Sequence, residues 1–382
     1  MSIPDQEYAK VIENLKIKGN SFVEQELDIQ EGQALNFEEY IQKPRFAKIK
    51  NKKYVPVWNR KDKYEPLTEF QHVDRGHFAD PSFKSLLSKK AGTQDYIDGV
   101  QVRNLTPKFG TEINGVQLSA LDDAGKDELA LYVAQRGVVV FRNQDLKDKR
   151  IEQVEALSNY FGRPHIHPTS PTVVGHPEVF LVYHENSPES AVSGIASRST
   201  STLTWHSDVS YEKQPAGTTF LAYLQGPSVG GDTLYADTQE AYERLSPEFC
   251  KRLEGLEATH SGVEQVNGAL ARGGVVRRAP TVSTHPVVRT HPVTKRHSIY
   301  VNPGFTRAIV GYKKEESDAL LKFLYDHITK SGDLQIRASW EEGTIVVWDN
   351  RRAVHTATYD FDDVLTRHAF RITPQAEKPS EK

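Results

Sequence analysis

The sequence predicts a mainly β chain with inserted helices, closed as a double-stranded β-helix (a jelly-roll, cupin-like core). Three observations carry this. The second half of the chain is built of short apolar runs, "EVFLVYH", "TTFLAYLQG", "DTLYAD", "SIYVN" and "GTIVVWDN". Gly-, Pro- and Ser-rich interruptions separate them, as turns between antiparallel strands do. Helical periodicity is confined to a few inserted segments, too few to alternate with the strands as a parallel α/β sheet requires.

The elements follow in order. Residues 1–95 stand apart: "FAKIKNKKYVPVWNRKDKY" is Lys-rich, lacks helical periodicity and is broken by Pro56. They are expected to form an irregular extension wrapping the core. That leaves 96–376 as the jelly-roll domain and 377–382 as a C-terminal tail. "VQVRNLTPKFGTEINGVQLSAL" alternates apolar and polar residues around Gly and Asn, which predicts strands joined by tight turns. In "DDAGKDELALYVAQRG", Leu129, Tyr132 and Val133 share a face, acids occupy the first turn and Gly137 closes it, so 122–137 is a predicted helix. "VVVFR" is a buried strand, and "RIEQVEALSNYFG" a second amphipathic helix ending at Gly162. Two more helices are expected at 238–254 and 314–330. Two long loops stand out: 185–204, small and polar, a candidate lid, and 262–298, with glycines and the pair Arg277-Arg278.

Bulk properties exclude whole classes. With 48 basic and 51 acidic residues the formal net charge is −3, which gives no electrostatic case for nucleic acid or an anionic membrane. No run is long and apolar enough to span a bilayer, and "MSIPDQEYAK" lacks the features of a signal peptide. Cys250 is the single cysteine, which rules out an intramolecular disulfide and any multi-thiolate metal site. A cytoplasmic protein is the expectation. The exposed edges of a jelly roll leave room for a homo-oligomer.

The chemistry starts at "TLTWHSDVSYE", where His206 and Asp208 stand two apart. His-x-Asp is common by chance, and alone it is a surface pair. His355, after the apolar strand of "GTIVVWDNRRAVH", is the best third partner among 14 histidines. Early and late strands of a jelly roll lie side by side, so two imidazoles and a carboxylate would converge on one face of a metal. That donor set suits Fe(II), with open positions for a co-substrate and O2. Thr233, in "GGDTLYAD", offers a hydroxyl, and "TRHAFRIT" places Arg367 and Arg371 four apart. An arginine fork suits a carboxylate, such as the distal one of 2-oxoglutarate. The spacing fits a helix, but also a strand with Arg367, Ala369 and Arg371 facing one way. Arg367 has a rival role as a surface partner of Asp360, Asp362 or Asp363. Trp205, Trp348 and Tyr211 are expected core residues, and His285, His291 and His297, spaced by six, solvated ones.

"WHSD", "PAGTTFLAYLQGPSVGGDTLYAD", "WDNRRAVH", the closing R-x-x-x-R and "FGRPHIHP" together resemble the taurine dioxygenase (TauD/TfdA) family of Fe(II)/2-oxoglutarate-dependent dioxygenases, most closely its fungal sulfonate dioxygenases. The resemblance runs from about residue 100 to 375. It implies that His206, Asp208 and His355 hold Fe(II), that Thr233 and Arg367 bind 2-oxoglutarate, and that His167 and Arg371 hold the anion of a small organic substrate, a sulfonate. It implies hydroxylation at the carbon bearing sulfur, with release of sulfite and an aldehyde beside succinate and CO2. Where the taurine enzymes carry a tyrosine and an asparagine, this chain has Ser170 and Thr202, so an alkyl sulfate ester, an aryloxy acid or another small anion stays open as substrate. A cupin-like, non-redox metal protein is the alternative from another class.

Overall fold

The computed structural model describes residues 36–58, 62–87, 100–184, 201, 203–271, 274–361 and 366–382. Eighteen strands lie among them. In chain order these are β1 Gln101–Asn104, β2 Thr111–Asn114, β3 Val138–Phe141, β4 Arg163–Pro164, β5 Thr172–Val173 and β6 His176–His184. Next come β7 Thr218–Gln225, β8 Thr233–Asp237, β9 Glu257–Ser261, β10 Val282–Pro286, β11 Val288–Thr290 and β12 His297–Ile299. The last are β13 Thr306–Ile309, β14 Gln335–Ala338, β15 Ile345–Asp349, β16 Ala353–Ala357, β17 Arg367–Ile372 and β18 Pro374–Gln375.

Two sheets make the jelly roll. The large one runs β1-β2-β3-β15-β7-β17-β6-β5, and the small one β14-β8-β16. All their pairings are antiparallel except β2 with β3. Period-two alternation sorts side chains between layers. Leu221, Tyr223, Val346, Trp348 and Ala369 of the large sheet meet Tyr235, Ile336, Ala338 and Ala353 of the small one in a core between the sheets. Phe220, Ala222, Ile345, Val347, Phe370 and Ile372 face outward, against helices Asp123–Arg136 and Ile151–Phe161. Ala236 and Val354 turn to a third cluster under helix Lys314–Thr329.

The helix expected over 238–254 is two, Thr238–Glu243 and Pro247–Leu253, because Ser246 caps a new start and Pro247 fits only a first turn. The segment 262–298 is no long loop: it holds helix Val263–Ala271 and strands β10 to β12. Much of the candidate lid (185–200 and 202) lies outside the described residues, as does Thr202.

The described part of the N-terminal extension lies against the core. Tyr40, Phe46, Ile49, Val55 and Val57 form a buried cluster packed with Val174 and Tyr183. Tyr54 stacks on Phe370 of β17 at 4.8 Å, and Arg75 pairs with Asp127 at 2.7 Å. At the other end, Glu377 pairs with Arg289 and Arg351, and the Ser380 carbonyl accepts from Thr290 N–H. Among the described residues no helix is long and apolar enough to cross a membrane.

Candidate active site

His206 and His355 are backbone partners in an isolated bridge, N–H to carbonyl at 2.9 and 2.8 Å. That bridge continues the edge of the small sheet beyond β16 and explains how residues far apart in sequence come together. The stretch around His206 is otherwise a turn, not the strand expected, and Val209 adopts φ 45° within it. The turn swings the Asp208 carboxylate back toward both rings. One ligand atom from each of His206, Asp208 and His355 lies within 4.8 Å of the others, and this is the one such cluster among the described residues. Asp208 Oδ1 stands 3.7 Å from the Nε2 of each histidine.

The surroundings fix protonation states. His206 Nδ1 lies 2.7 Å from the Thr204 carbonyl, which places the proton there and turns the Nε2 lone pair to the centre. Burial holds the His206 imidazole below its ordinary pKa. Burial and the neighbouring His206 take His355 down to about 3. For Asp208 burial acts upward, but Arg371, His355 and His206 outweigh it and hold the carboxyl below its usual range. Two neutral imidazoles and an ionised carboxylate are the states a metal requires. Asp208 Oδ2 is buried with no partner among the described residues. The donor set therefore fits Fe(II), which the sequence already suggested.

Both arginines lie on β17, a strand rather than a helix, and alternation sends Arg367, Ala369 and Arg371 inward. Arg371 Nη1 donates to Asp208 Oδ1 at 2.6 Å, while its Nε is buried and unpartnered. Arg367 is 3% exposed, so the surface role fails. Asp360 pairs with Arg337 instead, and Asp362 and Asp363 lie outside the described residues. No carboxylate among the described residues pairs with Arg367. A buried guanidinium without a counter-ion is costly, and an anionic ligand removes that cost. Thr233, also buried, accepts from the Trp340 indole N–H at 3.2 Å.

His167 stacks on Phe180 at 5.0 Å, and the Arg371 guanidinium lies 4.3 Å from the centre of the same ring. The backbone N–H groups of Thr169 and Ser170 donate to His167 Nδ1. The ring is thereby neutral with its proton on Nε2. Burial first, then Arg371, keep it so. His167 and Arg371 are thus a neutral donor and a cation side by side.

Sequence reasoning missed several contributors. Asn350 Oδ1 accepts from Asp208 N–H at 2.9 Å and from Trp348 Nε1 at 3.1 Å, and Asn350 Nδ2 donates to Thr219 Oγ1 at 2.8 Å. Its signal was a polar side chain right after a wholly apolar strand. Tyr223 and Tyr235 carry buried hydroxyls with no hydrogen-bond partner among the described residues. A polar atom at period two inside an apolar strand was their signal. Arg277, Arg278, His285 and His291, expected in a basic, solvated loop, are buried; His297 alone is exposed. Arg278 forms an ion pair with Glu212 at 2.5 Å, which also meets His165 at 3.0 Å. His291 meets Asp349 at 2.9 Å. These partners lie far away in sequence, so no local pattern announces them. Trp205, Trp348 and Tyr211 are core residues, as expected.

Comparison with known proteins places the chain in a family. Residues 101–373 match the family model described as taurine catabolism dioxygenase TauD, TfdA family. The alpha-ketoglutarate-dependent sulfonate dioxygenase of Saccharomyces cerevisiae is 45% identical over 341 residues, covering 89% of this chain and 81% of that protein. An alpha-ketoglutarate-dependent dioxygenase of Penicillium expansum is 44% identical over 330 residues, covering 85% and 86%. The crystal structure of a taurine dioxygenase from Burkholderia xenovorans superposes with a TM-score of 0.60 at 31% identity, covering 74% of this chain and 93% of that one. With residues 101–373 matched by that family model and a relative 45% identical over 89% of its length, the chain belongs to the TauD, TfdA family of dioxygenases.

Proposed function

We propose that the chain is an Fe(II)- and 2-oxoglutarate-dependent dioxygenase that hydroxylates a small organosulfonate at the carbon bearing sulfur. One observation supports it most: two buried arginines share a face of β17 near a His-Asp-His cluster, one of them with no acidic partner among the described residues. Each arginine then has an anion to hold. His206, Asp208 and His355 would bind Fe(II), which supplies the O2 chemistry that couples oxidative decarboxylation of 2-oxoglutarate, to succinate and CO2, to C–H hydroxylation.

The residues do the positioning. Arg367 and Thr233 take the distal carboxylate of 2-oxoglutarate. His167 Nε2–H and the free edge of Arg371 take the substrate anion, and Phe180 fixes their separation by touching both. Because Arg371 also holds Asp208, the anion is tied to the metal carboxylate through a single side chain. The hydroxylated carbon loses sulfite as its hydroxyl gives up a proton, leaving the aldehyde. A single, unpaired cysteine suits a reducing, cytoplasmic setting, and the packed segments 36–58 and 62–87 belong to the catalytic unit in this reading.

The test is anaerobic titration of the Fe(II)-loaded chain with 2-oxoglutarate, followed by air and a panel of alkyl sulfonates and sulfate esters. Sulfite with stoichiometric succinate supports the reading; sulfate instead of sulfite moves it to an ester, and no 2-oxoglutarate binding overturns it. Arg371→Ala is expected to abolish coupled sulfite release while sparing 2-oxoglutarate binding.

A further inference from the structure

We propose that Tyr223 is a third anchor for the distal carboxylate of 2-oxoglutarate, and that Trp340 sets the Thr233 hydroxyl to donate to the same group. This rests on the function proposed above and goes beyond the Arg367 and Thr233 pair.

Tyr223 lies on β7 beside β17, in register with Ala369, and points into the core between the sheets. Its hydroxyl is buried and has no hydrogen-bond partner among the described residues. Buried hydroxyls are seldom left so, because an unmade bond there keeps the desolvation penalty with nothing to offset it. The position of the hydroxyl is held on two sides. Its ring stacks on Trp340 at 5.3 Å with 20° between planes. At the other end, a Cβ built on Gly226 would fall 1.6 Å from the Tyr223 oxygen, so the hydroxyl occupies space that only a glycine leaves. Burial pushes the phenol up to about 12, against the opposing pull of Arg367. It is therefore a neutral O–H near a cation that pairs with no carboxylate among the described residues.

Trp340 joins this pocket to Thr233. An indole N–H only donates, so Thr233 Oγ1 must accept it, at 3.2 Å. No acceptor among the described residues takes the Thr233 hydroxyl hydrogen. It is left to donate, which is what a carboxylate needs. Arg367, Thr233 and Tyr223 then present a guanidinium and two O–H donors to one anion, all three buried. Hydrogen bonds to a charged group are the stronger class.

The experiment measures binding rather than turnover. The full chain, loaded with Fe(II) under argon, is titrated calorimetrically with 2-oxoglutarate and with 2-oxopentanoate, which has the same length and no distal carboxylate. Tyr223→Phe is expected to weaken 2-oxoglutarate roughly tenfold and to leave 2-oxopentanoate unchanged. Trp340→Phe keeps the stacking ring, removes the donor, and should give the same selective loss at smaller amplitude. Equal losses for both ligands, or no loss in either variant, overturn the proposal. Wild-type chain that binds the two ligands equally would overturn the carboxylate pocket itself, and with it the function proposed above.

Discussion

Asp208 is held from three sides. Its backbone N–H is fixed by Asn350, its Oδ1 by Arg371, and the neighbouring Ser207 hydroxyl donates to the Asn350 carbonyl at 2.7 Å. Asn350 is not among the three candidate ligands, yet the bonds it makes to Asp208 and Ser207 narrow where the carboxylate can sit. Partners of this kind commonly govern metal affinity by 10- to 100-fold or thereabouts. Asn350→Ala should therefore weaken Fe(II) or Co(II) binding by about that factor, while circular dichroism stays that of the folded chain. Unchanged metal affinity in a folded variant would show that the turn at 206–211 holds Asp208 without Asn350. The same residue marks a limit of sequence reading. That His206, Asp208 and His355 come together was legible because metal-binding chemistry restricts residue type. Asn350 works through geometry that its local sequence does not encode.

At the scale of elements, the strands around the site were legible because burial on one face forces a period of two. That pattern also decides β17, where spacing alone left helix and strand open: Arg367, Ala369 and Arg371 line one face. The failures share a physical cause. In 262–298 the charged and histidine-rich composition suggested a solvated loop, whereas Arg278 is neutralised by Glu212 and His291 is hydrogen-bonded to Asp349, both from distant elements. The N-terminal segment was read as irregular, and composition hides how it is held. Asp74 forms a buried ion pair with Arg351, whose guanidinium also meets Asp349 at 2.7 Å, on either side of Asn350. Removing one partner of a buried, multiply paired charge still loses a charge-assisted hydrogen bond in a desolvated site, with Asp349 and Glu377 left to hold Arg351, whereas an exposed pair contributes little. Asp74→Ala should lower the unfolding free energy by about 2 kcal/mol. Removal of Glu342, an exposed partner of Lys50, should cost under about 1 kcal/mol. Urea unfolding compares the two, and equal losses would mean that the extension is only loosely attached.

Across the whole molecule, buried histidines set the response to acid. Outside the His206, Asp208 and His355 cluster, His165, His167, His260, His285, His291 and His368 are all held below the ordinary imidazole value, with burial the first cause in each. His285 and His368 are taken down to about 4. A group with a depressed folded pKa binds its proton first in the unfolded chain. Its contribution is complete above the unfolded value, near 6.5, and is lost as pH falls toward the folded one. Each of these two histidines then removes about 3 kcal/mol between pH ~6.5 and ~4. The carboxylates act later. Glu212 is held at about 2: burial pushes it up, and His165 and Arg278 more than offset this. Its stabilisation is present above the unfolded carboxyl value and disappears only as pH falls toward 2. The midpoint of thermal unfolding should therefore begin to fall just below pH ~6.5, well before carboxylate titration at ~4.5. His285→Gln and His368→Gln, if they fold, should each flatten the upper part of that slope. A midpoint that stays level from pH 7 to pH 5 in the metal-free chain would mean that these imidazoles admit protons without disturbing the core around them.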